Sequence, residues 1–124
     1  MPSTVVVGGF FGDEGKGKVI SYLSKKDNPL IVVRGGAGPN AGHTIKDGST
    51  TYKVRMLPSG FLNKNAKVMI GPGVVVNPDV FFKEIEEYDV SGRAFLDKHC
   101  GIIEQNHLDQ DSKAVSYTHL RAHE

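Results

Sequence analysis

The sequence predicts an α/β fold, a mostly parallel sheet with flanking helices, and three observations support that prediction. Residues 4–7 and 30–33 are short runs of aliphatic or β-branched side chains, typical of strands buried on both faces. A glycine-rich loop follows the first run. Apolar residues at helical spacing then lead to the second run. Strand, loop, helix and strand in this order predict a βαβ unit.

The composition excludes several classes of protein, but it does not indicate a function. The 124 residues include 39% hydrophobic and 23% charged side chains, as in an ordinary globular domain. A net charge of +1 provides no bulk attraction to nucleic acid or to an anionic membrane. No apolar run approaches the roughly 20 residues of a membrane span. The single cysteine, Cys100, excludes an internal disulfide and a multi-cysteine zinc site, so we expect a cytoplasmic protein.

Turn, cap and spacing signals define the first elements. Residues 19–23 place apolar side chains at helical spacing, and Lys25 and Lys26 follow where a helix end favours cations. Residues 28–29, Asn-Pro, end that helix. Farther along, Asp47-Gly48 predicts a hairpin turn before an alternating, half-exposed strand at residues 51–56. Further short strands are predicted at residues 67–70, 74–76 and 93–96, and residues 98–113 give only a weak signal.

A second helix is predicted from Asn77 to about Asp89. Asn77 is a good N-cap, and Pro78 suits the first helical position. Its predicted buried face is Val80, Phe81, Ile85 and Tyr88, and its predicted solvated acidic residues are Glu84, Glu86, Glu87 and Asp89. The aromatic and sulfur side chains expected in the core are Tyr52, Met56, Phe61, Phe81, Phe82 and Phe95. Cys100 is expected to be a small, buried or half-buried thiol, and His99 and His107 to be surface or packing residues.

The first glycine loop has the composition of a phosphate site. Nine of the 15 glycines lie between Gly8 and Gly42, and such density allows tight turns and close ligand approach. A loop that opens a helix directs backbone N–H groups and the positive end of the helix dipole at an anion. Lys16 and Lys18 add positive charge. The alternative is a plain strand-to-helix turn with solvated lysines.

The spacing of this loop fits the P-loop template with one departure. Gly12 and Gly17-Lys18 stand at the template positions, but Val19 replaces the usual Ser or Thr ligand of Mg²⁺. Asp13 offers an oxygen donor for a hard cation instead. The fold class is therefore P-loop-like, and a generic kinase or GTPase is disfavoured.

A second glycine loop, residues 34–44, follows the second predicted strand. Both loops should therefore open at the carboxyl ends of neighbouring strands, where open α/β sheets bind ligands. Asp13, Asn40, His43 and the lysines of the first loop would converge there as an acid–base set. Taken alone, His43 is more often a hydrogen-bonded loop histidine than a catalyst.

Residues 12–18 (Gly-Asp-Glu-Gly-Lys-Gly-Lys) and 40–44 (Asn-Ala-Gly-His-Thr) resemble the two N-terminal signatures of the adenylosuccinate synthetase family. The resemblance runs over residues 4–114. Other segments that fit the family are residues 58–60 and 70–75, and those most similar to its shorter archaeal form are residues 38–40 and 55–58.

The resemblance implies a GTP-dependent carbon–nitrogen ligase of purine biosynthesis that joins IMP to L-aspartate through 6-phosphoryl-IMP. It implies that Asp13 takes the N1 proton of IMP, that His43 assists phosphoryl transfer and that Lys16 lies near the transferring group. Asp13 and the Gly42 carbonyl would hold Mg²⁺. The implied GTP-binding residues are Gly12, Asp13, Glu14, Gly15, Lys16, Gly17, Lys18, Gly42, His43 and Thr44. The implied IMP-binding residues are Asp13, Glu14, Gly15, Lys16, Asn40, Ala41, Gly42 and His43.

The resemblance also implies a homodimer and further IMP, aspartate and guanine contacts beyond Ala114. Residues 115–124 resemble a sequencing adapter translated in frame, with a natural polar tail as the alternative. We therefore expect residues 1–114 to be the N-terminal part of a larger single domain, and 115–124 to be a foreign, disordered tail. His119 and His123 are then no metal pair. The chain alone should be inactive. A non-catalytic nucleotide-binding module is the other hypothesis, although it would need no Asp13–His43 pair.

Overall fold

The computed structural model describes residues 2–9, 15–36, 42–106 and 109–110. Its helices described over their full length are α1 (Lys16–Asp27) and α2 (Pro78–Glu87), with a 3₁₀ turn at Ser59–Leu62, and residues 105–106 and 109–110 are also helical. Its strands are β1 (Ile31–Arg34), β2 (His43–Asp47), β3 (Thr50–Val54), β4 (Lys67–Ile70), β5 (Val75–Val76), β6 (Ala94–Leu96) and β7 (Gly101–Ile102). Within these ranges no helix is long and apolar enough to cross a membrane.

The main sheet is parallel, as the sequence predicts. Its strand order is β1-β4-β6, and Val32 pairs with Val68, which pairs with Ala94. Helix α2 lies between β4 and β6 in the chain, so these elements include a βαβ crossover. Strands β2 and β3 form the predicted hairpin, and β5 pairs in parallel with β7. The two-residue strand β7 falls in the segment with weak sequence signal.

Helix α2 begins where its cap predicts. The Asn77 side-chain oxygen accepts hydrogen bonds from the backbone N–H groups of Asp79 and Val80, at 3.1 and 3.4 Å. Proline occupies the first helical position. The helix ends at Glu87, within two residues of the predicted end. Its local signals are therefore sufficient to define it.

The expectation that Glu84 is solvated is wrong. Glu84 is only 5% exposed, and its carboxylate accepts hydrogen bonds from three consecutive backbone N–H groups after β3. The distances are 3.0 Å from Arg55, 3.0 Å from Met56 and 3.2 Å from Leu57. Glu84 follows Phe81 by three residues, so it lies on the buried face of α2. Its burial is possible because the carboxylate is satisfied there.

The core is formed almost entirely by residues after the second loop. It contains Ile45, Val54, Met56, Leu57, Phe61, Val68, Ile70, Val74, Val76, Phe81 and Val90. Met56, Phe61 and Phe81 are buried as predicted, and Tyr52 packs against the cluster. Phe82 and Phe95 are not core residues, since they are 62% and 45% exposed. Phe82 follows the buried Phe81 on α2, and consecutive helical residues cannot share one face.

The predicted first strand does not form. Residues 2–9 have no regular secondary structure, and Val5 and Val7 are 81% and 79% exposed. A strand exists through its ladder of hydrogen bonds to a neighbouring strand. In the described part of the chain β1 pairs only with β4, so no ladder reaches residues 4–7. The apolar run has strand composition without a strand partner.

Helix α1 forms, but its fully buried residues are not the apolar ones at helical spacing, of which Ile20 and Leu23 are only half-buried. It begins one turn before Val19, and its buried residues are the small Gly17, Ser21 and Ser24. The hydroxyl of Ser24 donates to the Gly60 carbonyl at 3.0 Å, which brings the helix close to the 3₁₀ turn. Val19 is 45% exposed on the outer side. Close packing on the turn therefore selects small residues over apolar ones.

Two expectations near the end of the described chain are confirmed. Cys100 is half-buried, with its Sγ atom 3.2 Å from the Gly71 carbonyl oxygen. His99 is exposed beside Asp97, and its Nδ1 atom lies 3.1 Å from an Asp97 carboxylate oxygen. His107 and residues 115–124 lie outside the described residues.

The Glu84 contacts predict a large and specific stability effect. Glu84→Ala leaves three backbone N–H groups without their acceptor, so the free energy of unfolding should fall by about 2–4 kcal/mol. Glu86→Ala on the exposed face of the same helix should change it by no more than about 0.5 kcal/mol. Urea unfolding followed by circular dichroism measures both variants. Equal effects of the two substitutions would contradict the role given to Glu84.

Candidate functional site

The start of α1 has the geometry of an anion site. Gly15 precedes the helix in the left-handed region, at φ 79° and ψ 24°, where glycine is favoured. Its carbonyl accepts from the N–H groups of Lys18 and Val19, at 3.1 and 3.3 Å, and closes the first turn. The helix dipole and the outward N–H groups of that turn favour negative charge. Lys16 and Lys18 place ammonium groups on the same turn.

His43, the first residue of β2, packs directly against this helix start. A Cβ atom built on Gly17 would lie 3.3 Å from both Cβ and Cγ of His43 and 3.0 Å from the Ser59 hydroxyl. A larger residue at position 17 would require His43 or Ser59 to shift by a few tenths of an ångström. The antiparallel pairing of His43 with Val54 fixes the histidine from its other side. Two predicted site segments, residues 15–18 and 42–44, therefore meet.

The surroundings of His43 favour its neutral form. Burial lowers the pKa of the imidazole below its ordinary value of about 6.5, and the positive charges of Arg34 and then Lys16 lower it further. A histidine that is neutral near pH 7 has one N–H donor and one acceptor nitrogen. It can therefore donate a hydrogen bond to an anionic oxygen and also accept a proton.

Arg34, at the carboxyl end of β1, joins three elements. Its guanidinium donates a hydrogen bond to the Arg55 carbonyl, and its own carbonyl accepts from Gly71 N–H at 2.8 Å. Burial lowers the pKa of Arg34, and the Glu84 carboxylate opposes that shift. Arg34 and Glu84 thus both hold the backbone of Arg55, one through its carbonyl and the other through its N–H. The hairpin end is fixed to the sheet edge by this pair.

A cleft of about 430 Å³ opens beside His43, between the hairpin and α2. Residues 42–44 and 53–55 line one side, and Val80, Lys83, Glu84 and Glu87 line the other. Charged side chains of both signs are thus among its lining residues, beside apolar surface. Gly42 is exposed at its edge, and a Cβ there would meet nothing nearer than the Val54 carbonyl at 3.9 Å.

The structure places some predicted site residues and not others. Those at the helix start are Gly15, Lys16, Gly17 and Lys18, and those at the start of β2 are Gly42, His43 and Thr44. Gly12, Asp13, Glu14, Asn40 and Ala41 lie outside the described residues. Among the described residues, no three His, Cys, Asp or Glu side chains gather as metal ligands. The start of α1 and His43 are therefore in contact. The expected arrangement of two loops at the carboxyl ends of neighbouring strands is not observed, because the first predicted strand does not form.

Sequence reasoning missed Arg34, Ser59 and Glu84. For Arg34 a signal was available, because a charged residue directly after a strand predicted to be buried indicates a site at the end of that strand. The position of Glu84 on the helical face of Phe81 was another. No local signal marks Ser59, because its proximity to Gly17 depends on the packing of α1 on the 3₁₀ turn.

Together, the fold and the site define an α/β protein in which a basic helix start meets a histidine whose neutral form is favoured, near Arg34 at the carboxyl end of a parallel strand, an arrangement suited to a phosphate-bearing ligand. The chain belongs to the adenylosuccinate synthetase family, because the family model of that description matches residues 5–118.

Relatives and solved structures agree with this membership. The adenylosuccinate synthetase of Archaeoglobus fulgidus is 52% identical over 111 residues, covering 90% of this chain and 33% of its own length. That of Methanococcus maripaludis strain C6 is 54% identical over 114 residues, covering 90% and 34%. This chain thus spans about a third of the length of these relatives.

Two solved structures have the same fold. The fully ligated adenylosuccinate synthetase of Plasmodium falciparum superposes with a TM-score of 0.80 at 33% identity, covering 90% of this chain and 26% of that one. The succinoaminodeoxyadenylate synthetase of cyanophage S-2L, bound to dGMP and dATP as an energy donor, gives 0.70 at 26% identity, covering 83% and 30%.

Gly17 provides a test of the helix–histidine contact. In Gly17→Ala the gain in helix propensity, about 1 kcal/mol, is opposed by overpacking of about 1–3 kcal/mol against His43 and Ser59. We therefore expect a net loss of stability and a shifted His43 imidazole signal in NMR spectra. Gly35→Ala, where a Cβ meets nothing within 4 Å, is the matched control and should leave both unchanged. A Gly17→Ala protein as stable as the control, with an unmoved His43 signal, would rule out this contact.

The environment of His43 predicts a pH effect with a defined sign. The folded-state pKa lies below the unfolded value, so the unfolded chain binds the proton first as the pH falls through about 6.5, and stability should fall with it. NMR titration of His43, folded and in urea, measures both pKa values. The free energy of unfolding of His43→Gln should fall less between pH 7.5 and 5.5 than that of the unsubstituted chain. A folded pKa equal to or above the urea value would contradict the electrostatics described.

Proposed function

We propose that this chain provides the N-terminal part of the active site of an adenylosuccinate synthetase, which joins IMP to L-aspartate with GTP as phosphoryl donor. The observation that supports it best is the contact between His43 and the start of α1, with Lys16 and Arg34 close by. Both partners in that contact lie in the two signature segments, residues 12–18 and 40–44. Family membership supplies the reaction.

In this proposal the GTP phosphates bind at the start of α1. The phosphate-binding segments in this proposal are residues 12–18 and 42–44, and Lys16 lies near the transferring phosphoryl group. The helix dipole and the lysines stabilise charge on the phosphate oxygens. His43 donates a hydrogen bond to those oxygens as negative charge develops. Its neutral state suits that role, because a donor N–H is present without a net charge to be solvated.

The chemistry has two steps. Asp13 takes the N1 proton of IMP, and the 6-oxygen then attacks the γ-phosphorus of GTP, forming the O–P bond as the bond to GDP breaks. The amine of L-aspartate next attacks C6, and the C–O bond breaks to release phosphate. Asn40 and Ala41, with residues of both loops, hold the IMP. Phosphorylation is needed because the 6-oxygen is otherwise a poor leaving group.

The donor set proposed for Mg²⁺ is the Asp13 carboxylate and the Gly42 carbonyl. Both are hard oxygen ligands of the type that Mg²⁺ prefers. Gly42 is exposed at the edge of the cleft beside His43. When bound, the ion neutralises phosphate charge. Gly42 precedes His43 directly, so the chain positions both groups at one place.

Other features of the proposal depend on polypeptide beyond this third of the family length. They are the remaining IMP, aspartate and guanine contacts and a homodimer with a shared active site. The phage relative is bound to dATP as its energy donor, so a shared fold over this region does not determine which base is used. The native part is taken as residues 1–114 and residues 115–124 as a foreign tail. A single, half-buried Cys100 is compatible with a reducing cytoplasm.

A chimera tests the function directly. Residues 1–114 replace the matching third of the Methanococcus maripaludis enzyme, and adenylosuccinate formed from IMP, aspartate and GTP is measured by chromatography. We expect turnover in the chimera and none in the 124-residue chain. Asp13→Ala and His43→Ala should each lower kcat by about 10²–10⁴-fold, because each removes acid–base or hydrogen-bonding assistance. His99→Ala, at an exposed histidine, is the control and should match the parent chimera.

Three results would count against the proposal. Turnover by the 124-residue chain alone would show that the missing contacts are not needed. Near-normal kcat in His43→Ala would remove its assigned role. A folded chimera that binds GTP without turnover would favour the non-catalytic nucleotide-binding module.

A further inference from the structure

The backbone of Arg55 is held on both sides, although the residue itself is exposed. Its N–H group donates to both oxygens of the Glu84 carboxylate, at 3.1 and 3.0 Å, and its carbonyl accepts a hydrogen bond from the Arg34 guanidinium. The next residue, Met56, is fully buried. A fixed backbone limits the positions that an exposed side chain can reach, and such pre-organisation favours binding.

The side chain of Arg55 lies beside residues 42–44, the second segment proposed to bind phosphate. The hairpin pairs His43 with Val54, so Arg55 follows β3 at the position across from Gly42. A Cβ atom built on Gly42 would accordingly lie 4.0 Å from Cγ of Arg55. Both residues line the cleft of about 430 Å³, together with Thr44. The stem of the Arg55 side chain is therefore at the edge of the proposed site.

The hairpin wall of this cleft favours an anion. Lys53 also lines it, and it lies on the same face as Arg55 because alternate residues of an extended chain point to the same side. On the opposite wall the Glu84 carboxylate already accepts from three backbone N–H groups, and Lys83 and Glu87 have opposite charges. A guanidinium is a planar fork of donors that matches the oxygens of a phosphate group.

We propose that Arg55 is a further substrate-binding residue of this site, whose guanidinium binds a phosphate group of a nucleotide substrate. The inference rests on the proposed function for the identity of that substrate, since GTP and IMP both carry phosphate. Arg55 lies in neither signature segment, and the groups that fix it come from β1 and α2. Its place beside Gly42 is a product of the fold.

The test uses the chimera in which residues 1–114 replace the matching third of the Methanococcus maripaludis enzyme. Arg55→Met keeps an apolar stem and removes the guanidinium. It should raise the Kd of one nucleotide in calorimetry, and its KM in turnover, by about ten- to a hundredfold, because charge-assisted hydrogen bonds are lost. The kcat should stay within about threefold, since ground-state and transition-state binding are lost together. A rise for GTP or for IMP identifies which substrate supplies the phosphate.

Two further variants separate binding from structure. Arg55→Lys keeps the charge and loses the planar fork, so it should raise the same constants less than Arg55→Met does. Lys46→Met removes a charge near the turn of the same hairpin and should leave every constant unchanged. None of the three should shift the unfolding midpoint in urea, because Glu84 and Arg34 bind the backbone of residue 55 in every variant.

Four results would overturn the proposal. Unchanged constants for both nucleotides in an active Arg55→Met chimera would remove Arg55 from substrate binding and leave the proposed function intact. A rise in the KM of L-aspartate alone would assign the guanidinium to a carboxylate. A fall in the unfolding midpoint as large as that of Glu84→Ala would make the residue structural. A parent chimera that binds neither nucleotide would contradict the proposed function, and this proposal with it.

Discussion

The carboxylate of Glu84 joins the second helix to the end of the hairpin, and the geometry of the site depends on that connection. Backbone N–H groups of three consecutive residues, beginning at Arg55, donate to it from a segment that has left β3 and forms no further ladder. Those groups would otherwise be buried without partners. Arg34 binds the Arg55 carbonyl from the sheet side. The hairpin that holds His43 is thereby fixed at its base to two other elements.

The chain has two parts that differ in how they are stabilised. From Ile45 to Val90, apolar side chains form one cluster with buried contacts on all sides. The first 36 residues contribute Val32 and small helix residues, while Val5, Val7 and Val33 stay exposed. The first of the residues proposed to hold phosphate lie in this less buried, N-terminal part. His43 lies at the junction, packed on α1 and paired with β3.

Most helices and strands could be predicted because their signals lie within a few neighbouring residues. The features that could not be predicted depend on contacts between residues far apart in the chain. Asn77-Pro78 and the alternation of residues 51–56 act within a few residues, so the sequence alone defines α2 and the hairpin. Residues 4–7 have strand composition, but a strand also needs a neighbour, which composition cannot supply. Glu84 belongs to a residue type that is usually exposed, and its burial is explained only by the three N–H groups, distant in the chain, that donate to it. In the site, motif spacing predicted His43 and Lys16, whereas Arg34 and Ser59 are brought near them by packing.

Strand β1 connects the core of the sheet to the site. Its residues alternate, so Val32 faces the core, Val33 faces outward and Arg34 reaches the Arg55 carbonyl. The carbonyl of Arg34 also accepts a hydrogen bond from Gly71 N–H, just after β4. The positive charge that lowers the pKa of His43 is therefore held in place by backbone contacts on two other segments, and not by the hairpin that carries the histidine alone.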